Sequence, residues 1–144
     1  MTERTHSPEE TFALGQRFAA TLKPGDVVAL AGDLGSGKTQ FIRGVCAGLG
    51  VAGRVTSPTF TLMNEYPVPW GTVVHVDVFR IVSHAEAAAL GIAEYYNDRC
   101  ICLIEWSDRI TDLLPARRVE IVLAHGPGET EREISIRQIE SVPA

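Results

Sequence analysis

The sequence predicts a three-layer α/β domain whose sheet mixes parallel and antiparallel strands, and three observations predict it. An apolar strand, a glycine loop and an amphipathic helix follow one another between Asp26 and Gly50. Two strand-like segments flank Pro67-Val68-Pro69-Trp70-Gly71, a connection short enough to allow only an antiparallel pair. Two more alternating segments, Val119 to Ala124 and Glu131 to Arg137, surround His125-Gly126-Pro127-Gly128 as a terminal hairpin. No internal repeat, low-complexity tract or linker interrupts the 144 residues, so a single domain is expected.

Each element has its own signal. Ser7-Pro8-Glu9-Glu10 opens the first helix, with Ser as the cap, Pro at the first helical position and Glu three residues on. Phe12, Gly15, Phe18, Ala19 and Leu22 then trace one face. The turn Lys23-Pro24-Gly25 introduces the strand Asp26 to Ala31. Phe41, Ile42, Val45, Cys46 and Leu49 recur at helical spacing until Gly50 ends the run. Ser57 to Tyr66 alternates, with Phe60, Leu62 and Asn64 on one side and Thr59, Thr61 and Met63 on the other. The next strand is expected over Thr72 to Asp77. Ser83-His84-Ala85-Glu86 is a second capping box, opening a short Ala-rich helix that Gly91 closes. Cys100 to Glu105 is an apolar strand ending in a carboxylate.

Composition narrows the function. Apolar content of 45% and charged content of 22% suit a soluble globular chain, and a net charge of −5 argues against a general nucleic-acid binder. Any RNA is expected to meet most of its phosphate contacts on a partner. Met1 to His6 is polar and no apolar run reaches membrane length, so a cytoplasmic protein without membrane contact is expected. Cys46, Cys100 and Cys102 lie in apolar segments without C-x-x-C spacing, which reads as buried thiols in a reducing compartment. His75, inside Val73-Val74-His75-Val76, reads as a core histidine and not as a metal ligand.

Gly32-Asp33-Leu34-Gly35-Ser36-Gly37-Lys38-Thr39 spell G-x-x-x-x-G-K-T, the P-loop, so the domain is expected to be P-loop NTPase-like. The glycines let successive backbone N–H groups converge on one anion. The helix N-terminus adds partial positive charge, Lys38 a full one, and Thr39 a hydroxyl for Mg²⁺. Such a site needs an acid at a neighbouring strand end, and two are available, Asp77 and Glu105. No N-K-x-D or D-x-x-G element of guanine-reading GTPases occurs, nor the L-S-G-G-Q of transporter ATPases. Arg43, Arg80, Arg117 and Arg118 form no arginine-rich lid of the kind small-molecule kinases use.

The P-loop, Ser57-Pro58-Thr59-Phe60-Thr61-Leu62, His75-Val76-Asp77-Val78-Phe79-Arg80, Leu90-Gly91-Ile92 with Glu94-Tyr95-Tyr96, and Ile104-Glu105-Trp106 together resemble the TsaE (YjeE) family in order and spacing. The resemblance runs from Glu10-Thr11 to the terminal hairpin. It implies a small Mg²⁺-dependent ATPase, weak by itself, that works with TsaB and TsaD. That complex places a threonylcarbamoyl group on the adenosine beside the anticodon of tRNAs reading codons that begin with A. TsaD is the transferase, and the chain would meet tRNA only through the complex.

By the same resemblance, Asp33, Leu34, Gly35, Ser36, Gly37 and Gln40 hold the nucleotide with Lys38, which contacts the β- and γ-phosphates. Thr39 and Glu105 hold Mg²⁺. Asp77 matches the acid essential for hydrolysis, and Thr59 and Thr61 lie in a switch-like segment near the γ-phosphate, Thr61 with a catalytic role. Trp106, Thr11 and Arg132 match positions that touch the nucleotide. Gln40 stands where the family usually has a second Thr; its amide still donates to a phosphate oxygen but lacks the compact hydroxyl. A small-molecule phosphotransferase is the second reading, disfavoured by the missing lid and by Ile104-Glu105-Trp106.

Overall fold

The computed structural model describes residues 1–33, 35–53, 55, 63–81 and 83–140. Seven strands form one sheet: β1 (Thr2–Thr5), β2 (Val27–Gly32), β3 (Met63–Val68), β4 (Gly71–Asp77), β5 (Cys100–Glu105), β6 (Arg118–His125) and β7 (Arg132–Ile139). Their order across the sheet is β1-β7-β6-β2-β5-β4-β3. The central strands β6, β2, β5 and β4 run parallel, and β1, β7 and β3 add antiparallel margins. The mixed sheet expected from sequence is therefore present.

Helices α1 (Pro8–Ala19) and α2 (Lys38–Leu49) cover one face, and α3 (His84–Ala89) with short 3-10 turns covers part of the other. Strand alternation divides the core between them. Val28, Leu30, Ile101, Leu103 and Ile121 pack toward α1 and α2, while Val27, Val74, Val76, Cys100, Cys102 and Ile104 pack on the opposite face. Cys100 and Cys102 thus share a face as expected. All three cysteines are free and buried, and burial pushes the Cys46 and Cys102 thiols up to about 12. Among the described residues, no helix is long and apolar enough to cross a membrane.

Both helix starts behave as their sequences ask. Ser7 Oγ accepts from Glu10 N–H at 3.1 Å, and Ser83 Oγ from Glu86 N–H at 3.1 Å. Glu10 reaches back to the N–H of His6, one residue before the capping-box partner, at 2.9 Å. This contact, together with the His6 side chain, holds the Glu10 carboxyl below its usual range. On α1, Thr11 and Leu14 are buried beside Gly15, Phe18 and Ala19, while Phe12 is only half-buried.

Two details differ from the sequence reading. Thr2–Thr5 is a strand rather than a polar lead, because β7 offers an open edge and pairs Thr2 with Ser135 through Thr5 with Arg132. The β3–β4 turn is Pro69-Trp70 alone, since β3 continues through Pro67; β3 is an edge strand, where the missing N–H of proline is tolerated. Most of the alternating segment from Ser57, including Thr59, Phe60, Thr61 and Leu62, lies outside the described residues.

The α1–α2 contact runs through glycines. A Cβ on Gly44 would stand 2.0 Å from the Phe12 carbonyl oxygen, and one on Gly15 would stand 2.4 Å from the Phe41 carbonyl oxygen. Alanine in mid-helix gains about 1 kcal/mol of propensity over glycine. Overpacking against backbone, which cannot rotate away, costs about 1–3 kcal/mol and sometimes more. Gly44→Ala is therefore expected to lower stability by roughly 2 kcal/mol, the overpacking exceeding the propensity gain. A denaturation midpoint equal to or above that of wild type contradicts this account of the helix pair.

Candidate functional site

Parallel strands present their carboxyl ends on one edge, and ligands of open α/β sheets gather there. Here that edge collects the glycine loop after β2, Asp77 at the end of β4, and Glu105 with Trp106 at the end of β5. Asp77 and Glu105 are direct neighbours in the β4–β5 ladder. They open into a cavity of about 510 Å³ that is also lined by Thr11, Asp33, Gly35, Ser36, Gly37, Lys38, Thr39, Gln40 and Arg132. The described candidates thus meet at one place; Leu34 and Thr61 lie outside the described residues.

Gly35 and Gly37 take left-handed conformations, with φ of 76° and 97°, which side-chain-bearing residues rarely adopt. They turn the loop into the first turn of α2, which begins at Lys38. The Lys38 ammonium donates to the carbonyls of Gly32 and Asp33 and sits 3.5 Å from the centre of the Trp106 ring. Burial lowers its pKa, while Glu105, Asp77, Asp108 and Asp33 pull in the opposite direction. The ammonium is thus held by its own loop and by an aromatic face within a ring of acids.

The two carboxylates are held differently. Asp77 Oδ1 accepts from the N–H of Phe79 at 2.9 Å. Burial raises the Asp77 pKa and Glu105 adds to that rise; the Phe79 bond, His75 and Lys38 oppose it. Glu105 Oε2 lies 2.7 Å from His75 Nε2, and both side chains are buried. His75 is the core residue that its sequence neighbourhood suggests. Its bond to Glu105 goes beyond that reading.

Trp106 has φ 61° and is the only non-glycine with positive φ among the described residues. That conformation costs on the order of 1–3 kcal/mol and persists only where the surroundings enforce it. Here Trp106 packs against Phe79 with centroids 4.8 Å apart and the rings tilted by 43°, and the Arg109 guanidinium lies 5.5 Å from its ring centre. Arg109 also donates to the Phe79 carbonyl at 2.8 Å. Next along the chain, Ser107 Oγ donates to the Leu30 carbonyl of β2.

On the other side of the cavity, Thr11 Oγ1 lies 2.6 Å from Thr5 Oγ1, so β1 ties down the start of α1. Arg132 donates to the carbonyls of Glu129 and Glu131, which bends its side chain over the hairpin. Phe79, Arg80, Arg43, Thr130 and Pro8 also line the cavity, and the sequence reading assigned none of them to the site. Phe79 and Arg80 had a usable signal, since they directly follow the Asp77 strand. Thr130 and Pro8 had none.

The residues fit a triphosphate with magnesium. Ser36 Oγ is buried with no hydrogen-bond partner among the described residues, at the point where a phosphate oxygen would give it one. The oxygen donors Thr39, Asp77 and Glu105 suit a hard cation. Among the described residues no group of three or more His, Cys, Asp or Glu could hold a metal. Magnesium commonly uses one or two carboxylates and completes its shell with phosphate and water, so a sparse protein set is in keeping.

Known proteins resemble this chain over most of its length. A family model described as "Threonylcarbamoyl adenosine biosynthesis protein TsaE" matches residues 5–134. The Bacillus subtilis tRNA threonylcarbamoyladenosine biosynthesis protein TsaE is 43% identical over 136 residues, which cover 94% of this chain and 84% of that protein. The protein of the same name from Haemophilus influenzae is 41% identical over 106 residues, covering 70% of this chain and 67% of its own. A crystal structure of Bacillus subtilis YdiB superposes with a TM-score of 0.81 at 39% identity, covering 96% of this chain and 85% of that one. With a family model spanning β1's last residue to mid-β7, and relatives alike over most of their length, this chain belongs to the TsaE family.

Proposed function

We propose that this chain binds and hydrolyses ATP with Mg²⁺ as one component of threonylcarbamoyladenosine formation in tRNA, acting in the cytoplasm with TsaB and TsaD. The observation that carries the reading is one cavity receiving a glycine loop with its lysine and two carboxylates from adjacent strand ends. Family membership supports the pathway.

In this reading the backbone N–H groups of Gly35, Ser36 and Gly37 and the first turn of α2 hold phosphate oxygens, and Ser36 Oγ adds one more donor. Lys38 places its charge on the β- and γ-phosphates. Thr39 and Glu105 hold the metal. Bound magnesium neutralises phosphate charge and orients the triphosphate. Asp77, with Oδ1 taken by Phe79, offers Oδ2 to a water molecule as the proton acceptor, and burial, by raising its pKa, makes it a stronger base than an exposed carboxylate. Thr11, Gln40, Trp106 and Arg132 contact the nucleotide around this centre. Leu34 and Thr61 keep the roles that the family resemblance implies.

Asp33, Gly35 and Thr39 are exposed, so water reaches the phosphate side of the cavity and weakens electrostatic stabilisation of a transition state. A docked protein partner would exclude that water. The chain by itself is therefore expected to turn over ATP slowly, and TsaB with TsaD to accelerate it. A small hydroxylated acceptor is expected to have no effect. Full turnover in isolation, unchanged by both partners, contradicts the coupling.

A further inference from the structure

His75 does not line the cavity and is 1% exposed, so it cannot touch a bound ligand. Its place in the sheet is nonetheless specific. Residues two apart on a strand share a face, so His75 lies one step below Asp77 on the same side of β4. Asp77 is paired with Glu105 and His75 with Leu103, so the imidazole reaches diagonally across the ladder to the carboxylate. The contact is 2.7 Å, Nε2 to Oε2, between two buried groups. His75 Nδ1 has no hydrogen-bond partner among the described residues. A buried N–H without an acceptor is more expensive than an unfilled acceptor, so the favoured tautomer carries its proton on Nε2 and donates it to Glu105, leaving Nδ1 unprotonated. A buried carboxylate beside a second one would otherwise be free to rotate away from Asp77.

We propose that His75 is a positioning residue that fixes the Glu105 carboxylate through Oε2, so that Oε1 is the oxygen presented to the metal. This inference rests on the reading of Glu105 as a metal-side ligand. The arrangement repeats a general feature of metal sites, in which a partner behind the ligand sets its orientation and contributes about 10–100-fold to metal affinity.

The test compares His75→Leu, which removes the donor and keeps apolar volume, with His75→Gln, whose amide N–H can still reach a carboxylate. Mn²⁺ is titrated into the full-length protein saturated with ADP, and ADP affinity is measured separately without metal. His75→Leu is expected to weaken Mn²⁺ about 10–100-fold and to leave metal-free ADP affinity within about twofold of wild type, while His75→Gln recovers most of the loss. In a Glu105→Gln background, His75→Leu is expected to add nothing further. Unchanged Mn²⁺ affinity in His75→Leu, an equal loss of both affinities, or no recovery by His75→Gln overturns the proposal. If His75→Leu does not fold, His75→Asn, whose shorter amide falls short of Glu105, takes its place against His75→Gln with the same expectations. Should Glu105→Gln itself leave Mn²⁺ affinity intact, the reading of Glu105 as ligand fails and the inference falls with it. Should Glu105→Gln lose Mn²⁺ while His75→Leu does not, the positioning inference alone fails.

Discussion

Lys38→Ala is expected to lower ATP affinity by roughly 10²–10⁴-fold. The ammonium is held by the Gly32 and Asp33 carbonyls at the base of the glycine loop, where a triphosphate would meet it. Charge-assisted hydrogen bonds are worth about 1.5–3 kcal/mol each, and contact with two phosphates therefore amounts to about 3–6 kcal/mol. At 1.4 kcal/mol per tenfold this gives the stated range. The substitution also removes the cation that faces Asp77 and Glu105, which increases repulsion between the two acids and the incoming triphosphate. Calorimetry on the folded variant measures it, and affinity within threefold or so of wild type contradicts the assignment.

Asp77→Asn is expected to bind ATP and yet lose hydrolysis by about 10²–10⁴-fold, the contribution a positioned proton acceptor makes. Asparagine keeps Oδ1 as an acceptor for the Phe79 N–H, so the local turn survives. The same variant is expected to be more stable than wild type when no nucleotide is present. Burial is the largest cause of the raised Asp77 pKa, so the folded protein disfavours the charged form. That penalty is complete above the folded-state pKa and absent below the unfolded one. The stability advantage of Asp77→Asn is therefore greatest above the folded-state Asp77 titration and shrinks as pH falls through it. Single-turnover hydrolysis together with thermal unfolding across pH checks both halves. Hydrolysis within about tenfold of wild type removes Asp77 from the chemistry.

What could be read from the chain follows from how local each feature is. The P-loop, the α2 apolar face and the two helix caps are contiguous patterns, and each residue's role depends on neighbours within one or two turns. Asp77 and Glu105 were legible as strand-end acids because each terminates an apolar run. Their adjacency was not, since it depends on β4 and β5 pairing in one register. The His75–Glu105 bond depends on the same register, and no spacing between residues 75 and 105 announces it. Thr2–Thr5 carries no apolar alternation; it is a strand because β7 needs a partner and because Thr5 can bond Thr11. Trp106 reads as an aromatic beside an acid, whereas its left-handed backbone and its place over Lys38 emerge only when β5 ends beside the glycine loop.

In the proposed function, ATP hydrolysis at this cavity serves repeated rounds of threonylcarbamoyl transfer to tRNA. The most direct measurement quantifies threonylcarbamoyladenosine in tRNA during reconstitution with TsaB and TsaD, comparing wild type with Asp77→Asn at equal ATP occupancy. Wild type is expected to support many rounds per complex, and Asp77→Asn to join the complex yet stop after about one. Equal accumulation with both proteins would contradict the account.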